Sequence, residues 1–214
     1  ALWALVNFLY HSKRYRTNFI ERGGVAAAIA AVRRNLSTPK PEKLCKWFCE
    51  LLCIFACKSP PPNHSHKDTL TFSCVPIIMS IMQRCINSES TCKIAIEVLN
   101  ELSHNSWERS VFIIDSGAVN VVISVVDVHC KSEELCTIAC DTLVNLMSGR
   151  FKNMRKVVPD VLPFFLRTAE AHARFAAAKP DLRKLSWTYG ITPTLHAACS
   201  AVWKIARRSN KMFD

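Results

Sequence analysis

Cys45, Cys49, Cys53 and Cys57 place a thiol at every fourth residue, the first pattern in this chain whose residue types could do chemistry. On a helix rising about 1.5 Å per residue, the outer two would lie roughly 18 Å apart. Four thiolates so spaced cannot share one tetrahedral ion with bonds to sulfur near 2.3 Å. At most an adjacent pair could bind, completed by His64 or His66 from the neighbouring stretch. The expectation is instead a buried stripe, each thiol packing as a small hydrophobe, with no metal and no cofactor. A second pattern is Lys179 to Tyr189, KPDLRKLSWTY, where Arg183 and Lys184 stand beside Trp187 and Tyr189. Aromatic and basic side chains in a loop can anchor a protein partner, and they can equally fold back onto neighbouring helices. Catalysis finds no foothold: there is no Gly-rich phosphate loop, no metal-ligand helix and no nucleophile elbow. The seven His are scattered. The chain is expected to be no enzyme and to take no small-molecule substrate.

The elements that must position these residues are clearest from Ser116 to Met147. Gly117 sits where the chain must bend sharply, which a residue without a Cβ does most cheaply. Ala118, Val121, Val122, Val125 and Val126 recur at three and four residues, as one buried helical face requires. His129 to Glu134 is a polar break, with Ser132 able to cap the next helix. Leu135, Ile138, Ala139, Thr142, Leu143 and Leu146 mark that helix's apolar face, and Trp107 to Asp115 makes a shorter helix upstream. Short helix, glycine turn, medium helix, polar break, long helix: this is a three-helix unit of roughly 40 residues.

The unit recurs. Asn18 to Val32, NFIERGGVAAAIAAV, matches Val111 to Val126, VFIIDSGAVNVVISVV, and third helices align through Leu5, Phe48, Leu99, Leu143 and Val202. In these residues the sequence resembles the armadillo repeat family across nearly its whole length. The resemblance implies an all-α fold, a right-handed solenoid of about four to five three-helix repeats. Its divisions would be 1–16, the end of a truncated repeat, then repeats at 17–58, 67–105, 107–148 and 149–208, the last interrupted at 176–193. Within these, His11 to Arg16 reads as a basic turn and Lys58 to Lys67, with three prolines in a row, as a loop. Asp68 to Ser73 and Cys74 to Ile86 read as separate short and medium helices. Gly149 to Val157 reads as the start of the last repeat, ahead of a middle helix holding Pro159 and Pro163.

The family implies a concave groove lined by third helices, in which a partner's peptide segment lies. In the importin-α branch a Trp and an Asn four residues apart hold an extended peptide, and Trp3 and Asn7 have that spacing. The equivalent pairs are Lys46 and Glu50, Glu97 and Glu101, Asp141 and Asn145, and Ser200 and Lys204. An amide offers donor and acceptor to a main chain, and an indole face attracts cations. Only Asn145 repeats the Asn, and no second Trp appears, so an importin-like carrier of basic peptides is the alternative reading. Glu97, Glu101 and Asp141 imply a negative groove centre.

Charge is segregated, although the chain as a whole carries +11. Residues 1–58 hold ten Lys and Arg against three acids, residues 59–148 five against ten, and residues 149–214 thirteen against four. Basic ends and an acidic centre suit partners of opposite sign. An RNA-associated module using the basic ends is a further alternative, without an aromatic-interleaved basic platform to support it. The 11 Cys, an odd number without small-loop spacing, suggest reduced thiols inside the cell. Apolar runs fall short of the roughly 20 residues that span a bilayer. The chain opens inside a third-helix pattern, so upstream sequence is expected, and Leu2, Leu5 and Leu9 would form the face it covers. The sum is a protein-binding scaffold or adaptor, cytoplasmic or nuclear, within a larger assembly such as an organellar or ciliary one.

Overall fold

The computed structural model describes residues 2–58, 64–147, 151–178 and 193–210, and all of its elements are helices: the fold is all-α. They are α1 (Leu2–His11), α2 (Lys13–Glu21), α3 (Gly24–Asn35), α4 (Glu42–Lys58), α5 (His64–Arg84) and α6 (Glu89–Ser103). There follow α7 (Trp107–Asp115), α8 (Ala118–Val128), α9 (Glu133–Met147), α10 (Phe151–Ala178) and α11 (Pro193–Asn210). Five of them form a packed row in the order α1, α4, α6, α9, α11, each against the next. The others pack against it and one another: α5 packs on α6, α7 and α8, and α10 on α8, α9 and α11. The buried apolar residues join into one continuous core, centred on Phe48, Phe55, Leu99, Leu143, Phe164 and Phe165.

Glycine decides where a short helix breaks from the medium helix after it. Gly23 has φ 73° and Gly117 φ 83°, left-handed values that a Cβ disfavours, and α2 ends before the first as α7 ends before the second. Two separate helices were expected at Asp68–Ser73 and Cys74–Ile86, and here the structure differs: α5 runs unbroken from His64 to Arg84 with Pro76 inside it. No glycine stands at the junction, where Ser73 and Cys74 meet. Of the start expected at Gly149 to Val157, residues 149 and 150 lie outside the described residues, and Phe151 onward belongs to one 28-residue helix, α10, containing Pro159 and Pro163. All three prolines lie on exposed positions. The carbonyl each leaves without its helical donor can therefore face water, which makes an internal proline tolerable.

Three further expectations change. The basic turn at His11 to Arg16 shrinks to Ser12, whose side chain accepts from the Tyr15 N–H and starts α2 at Lys13. The loop expected at Lys58 to Lys67 gives way at both ends, since Lys58 belongs to α4 and His64 to α5, while 59–63 lie outside the described residues. Leu9 is buried, and Leu2 and Leu5 pack partly buried against the core. The open apolar side chains of α1 are instead Trp3, Phe8 and Tyr10.

Hydrogen bonds repeat along the chain in the same register as the apolar pattern. Arg16 donates through Nη1 to the Leu9 and Tyr10 carbonyls at 2.9 and 3.1 Å, tying the end of α1 to α2. Arg109 does the same from α7, its Nε donating to Leu102 O at 2.6 Å and its Nη2 to His104 O at 2.8 Å. The Cys92 thiol reaches back to Cys85 O at 3.3 Å, and the Cys136 thiol to His129 O at 3.8 Å. The arginine bonds satisfy carbonyls at helix ends, whereas Cys85 O and His129 O also accept from the Ser88 and Ser132 N–H groups.

Gly24 and Phe19 explain one another. A Cβ on Gly24 would meet the Phe19 ring at 2.6 Å, and that ring stacks on the buried Phe55 with centroids 5.7 Å apart. With Gly23 and Gly117 matched by their left-handed φ, the same two places hold Ala118 and Ile113, a smaller side chain opposite a larger one. Replacing Gly24 by Ala should therefore destabilise by about 1–2 kcal/mol through overpacking, although Ala is the better helix former. A double-mutant cycle with Phe19→Ile, read by urea denaturation, should show that Gly24→Ala costs less once the ring is gone. Equal costs with and without Phe19→Ile would mean that the ring is not what excludes the methyl group.

Candidate functional site

Each helix of the row buries one face in the core, and its opposite stripe reaches solvent at three- and four-residue spacing. The stripes carry the residues singled out in the sequence. On α1, Trp3 is 59% exposed and Asn7 is exposed. On α4, Lys46 and Glu50 are half-buried; on α6, so are Glu97 and Glu101. On α9, Asp141 is exposed and Asn145 half-buried; on α11, Ser200 is half-buried and Lys204 exposed. The five helices are consecutive neighbours, so Trp3 and Asn7 belong to one end of the row and Ser200 and Lys204 to the other.

Polar contacts stitch the middle of the row together. Lys93 of α6 pairs with Glu134 of α9, and Ser132 donates to Glu89 at 2.5 Å. Asn145 donates through Nδ2 to Asn100 Oδ1 at 2.6 Å. Thr194 of α11 donates to Glu133 O at 2.9 Å. The α6–α9 partners lie 41 to 45 residues apart and the α9–α11 pair 61 apart. Those separations follow the 44 from Leu99 to Leu143 and the 59 from Leu143 to Val202. The contact register and the apolar register are thus the same over these three helices.

The middle helices carry Glu50, Glu97, Glu101 and Asp141 together with Lys46 and Lys93. Burial raises the Glu97 carboxyl above its ordinary range, Lys93 pulls it back and Glu134 pushes it up again. Cys53 of α4 lies close enough to Glu97 and Glu101 for both charges to act on its thiol. Asn7 donates to Trp3 O at 3.1 Å, so one of its amide hydrogens is engaged within its own helix. Beside Asn145 a cavity of ≈ 270 Å³ opens at the α6–α7 corner, lined by Ser103, His104, Asn105, Ser106, Trp107 and Ser110. Asn105 holds φ 58°, the left-handed conformation that Asn tolerates better than most residues.

Two aromatic residues of the row escaped the sequence reading. Trp47 meets Trp3 edge to face, centroids 6.4 Å apart, and Trp203 is 58% exposed on α11. Each adjoins a residue already placed on the stripe, Lys46 or Lys204, and a stripe two residues wide at each turn would have included both. Of the insertion candidates, Arg183, Lys184, Trp187 and Tyr189 lie outside the described residues. The cysteine stripe divides: Cys45 and Cys49 are buried, Cys53 is half-buried, and Cys57 is exposed, contrary to the expected four packed thiols. On a helix of 3.6 residues per turn each fourfold step turns about 40° further round, so the stripe leaves the buried face by Cys57 while Ile54, Phe55 and Ala56 stay in the core. Among the described residues no group of three or more His, Cys, Asp and Glu could hold a metal ion. No single helix among them is long and apolar enough to cross a membrane; α7 and α8 together pass by composition but are bent by 68° at their junction. Compared with family models, curated proteins and solved structures, the chain matches none.

Proposed function

We propose that the chain is an armadillo-type solenoid that works as a non-catalytic scaffold or adaptor inside the cell. It would hold an extended, basic segment of a protein partner along the face of its third helices. The observation that carries this reading is the row α1, α4, α6, α9, α11, which presents Glu50, Glu97, Glu101 and Asp141 on adjacent helices of a strongly basic chain. Stacked helical units bury their faces against one another and leave an extended surface for binding. A carboxylate partly desolvated without full pairing, as at Glu97, costs stability, and a Lys or Arg brought by a partner would recover it. Exposed Trp3 and Trp203 at the two ends would give apolar and cation–π contact to the stems of such residues. Asn7 and Asn145 alone carry the amide at the aligned positions, where Glu50, Glu101 and Lys204 stand in the others, so an importin-like Asn ladder is the weaker form of this reading.

The test uses Lys- and Arg-rich peptides of about ten residues, with acidic peptides as controls. Basic peptides should bind the native chain and weaken as salt rises. Glu97→Lys with Asp141→Lys should reduce affinity at least tenfold, about 1.4 kcal/mol, with the helical circular dichroism unchanged. Preference for acidic peptides or for single-stranded RNA, with a steep salt slope, would reject the acidic face as the working surface. Unimpaired binding in the double variant would reject it as well.

A further inference from the structure

Cys53 and Cys57 stand apart from the other thiols. Seven of the 11 cysteines, Cys45, Cys49, Cys74, Cys85, Cys92, Cys136 and Cys140, are buried. Burial pushes Cys45, Cys74, Cys92 and Cys136 up to about 12. Inert thiols of this kind are packing residues. Cys53 is half-buried and Cys57 exposed, and their sulfurs are 3.5 Å apart. They also differ in position: Cys57 is the penultimate residue of α4, in its last turn, whereas Cys53 sits one turn further in.

We propose that Cys53 and Cys57 form an oxidation site at which a hydroperoxide is reduced and a reversible disulfide closes. The Cys53 thiolate attacks one peroxide oxygen; the S–O bond forms, the O–O bond breaks, and the departing alkoxide takes a proton to leave as alcohol or water. Sulfur is oxidised by two electrons to the sulfenic acid, and the peroxide is reduced by the same two. Cys57 then attacks the Cys53 sulfur, the S–S bond forms, and hydroxide leaves as water with the proton of the Cys57 thiol. The sum is two thiols and one hydroperoxide giving a disulfide, an alcohol and water.

The placement supports both steps. A hydrogen bond from Cys57 pulls the Cys53 thiol below its ordinary value, against burial and the charges of Glu97, Glu101 and Cys49. Cys53 is held half-buried one turn inside α4 while Cys57 sits in the terminal turn that can move toward it, so Cys53 is the attacking sulfur and Cys57 the resolving one. Closure needs movement, since Cβ atoms four apart on a helix are about 5–6 Å apart and a disulfide wants roughly 3.5–4.5 Å. Helix ends fray, so the movement falls on the final turn of α4, beyond Phe48 and Leu51, which stay in the core. The disulfide would reshape α4 where Cys53 meets Glu97 and Glu101, on the exposed face of the row.

The experiment treats the reduced full chain with a few equivalents of hydrogen peroxide, alkylates it at intervals and maps the peptides by mass. Trp47 to Lys58 should lose the mass of two hydrogens before any other segment, with fragmentation placing the bond between Cys53 and Cys57 and not at Cys49. Dithiothreitol should restore the mass. In Cys57→Ser, dimedone should trap the sulfenic acid at Cys53; the wild-type map needs no variant and stands if that one folds poorly. First oxidation at the exposed Cys130 or Cys199, a bond to Cys49, or oxidation of Cys53 no faster than that of buried Cys140 would overturn the proposal.

Discussion

Arg109→Ala should cost about 3 kcal/mol or more, lowering a thermal midpoint by roughly 6–12 °C for a chain of this size. The side chain is only 2% exposed, yet it carries a full charge. It is held by Leu102 O, His104 O and Asp68 Oδ1, the last at 2.8 Å. Two of these acceptors are carbonyls at the end of α6, so removing the guanidinium leaves buried acceptors without donors as well as an emptied cavity. Asp68 contributes less, because its side chain is 44% exposed and solvent screens the pair. Asp68→Ala should therefore cost under about 1 kcal/mol. Arg16, which makes the equivalent reach in a half-buried setting, should cost about 1 kcal/mol when replaced by Ala. Equal losses at Arg109 and Asp68 in urea titrations would show that the ion pair dominates. A loss below about 0.5 kcal/mol at Arg109 would show that neither set of bonds holds the corner.

What the sequence made legible follows from which interactions are local. Gly117 and the valines after it announce α8 because a left-handed turn and a 3.6-residue period are both written in neighbouring residues. Ser132 as the cap before α9 is local in the same sense, its hydroxyl accepting from the Leu135 N–H at 3.4 Å. The fusion of α5 and of α10 was less visible, because the repeat pattern sets a helix boundary just ahead of prolines that suit a first turn. Whether a proline breaks the helix depends on the freed carbonyl finding water, and that is decided by which face of the helix tertiary packing leaves open. Trp47 and Trp203 were missed for a related reason: the width of an exposed stripe is set by how closely neighbouring helices approach. Arg109 illustrates the limit best. A charged residue inside WERSVFII reads as solvent-facing, and only the carbonyls of another helix, brought close by the fold, make its burial favourable.

Leu99→Ala should cost about 3 kcal/mol, within the 2–5 kcal/mol usual when a buried leucine is cut to alanine. Leu99 is fully buried in α6, the middle helix of the row, between α4 and α9. Leu143 occupies the matching place on α9 and is also fully buried, so the same substitution there should cost as much. Leu5 on α1 is only partly buried and has α4 as its one neighbour in the row, so its cost should be nearer 1 kcal/mol. The three values rank positions that the sequence alignment treats as equivalent, and their order measures how far each lies from the end of the row. The stronger expectation concerns cooperativity. In a stack where each unit contacts only its neighbours, as proposed, stability is a sum of units and interfaces. A lesion at Leu99 weakens the interface between the α1–α4 side and the α9–α11 side. Urea unfolding followed by far-ultraviolet circular dichroism and by the fluorescence of Trp3, Trp47, Trp107 and Trp203 should then separate into two transitions in Leu99→Ala, while Leu5→Ala keeps its main transition single. Coincident transitions in Leu99→Ala, with the full stability loss present, would mean that the helices from α1 to α11 fold as one cooperative body and that the nearest-neighbour description fails.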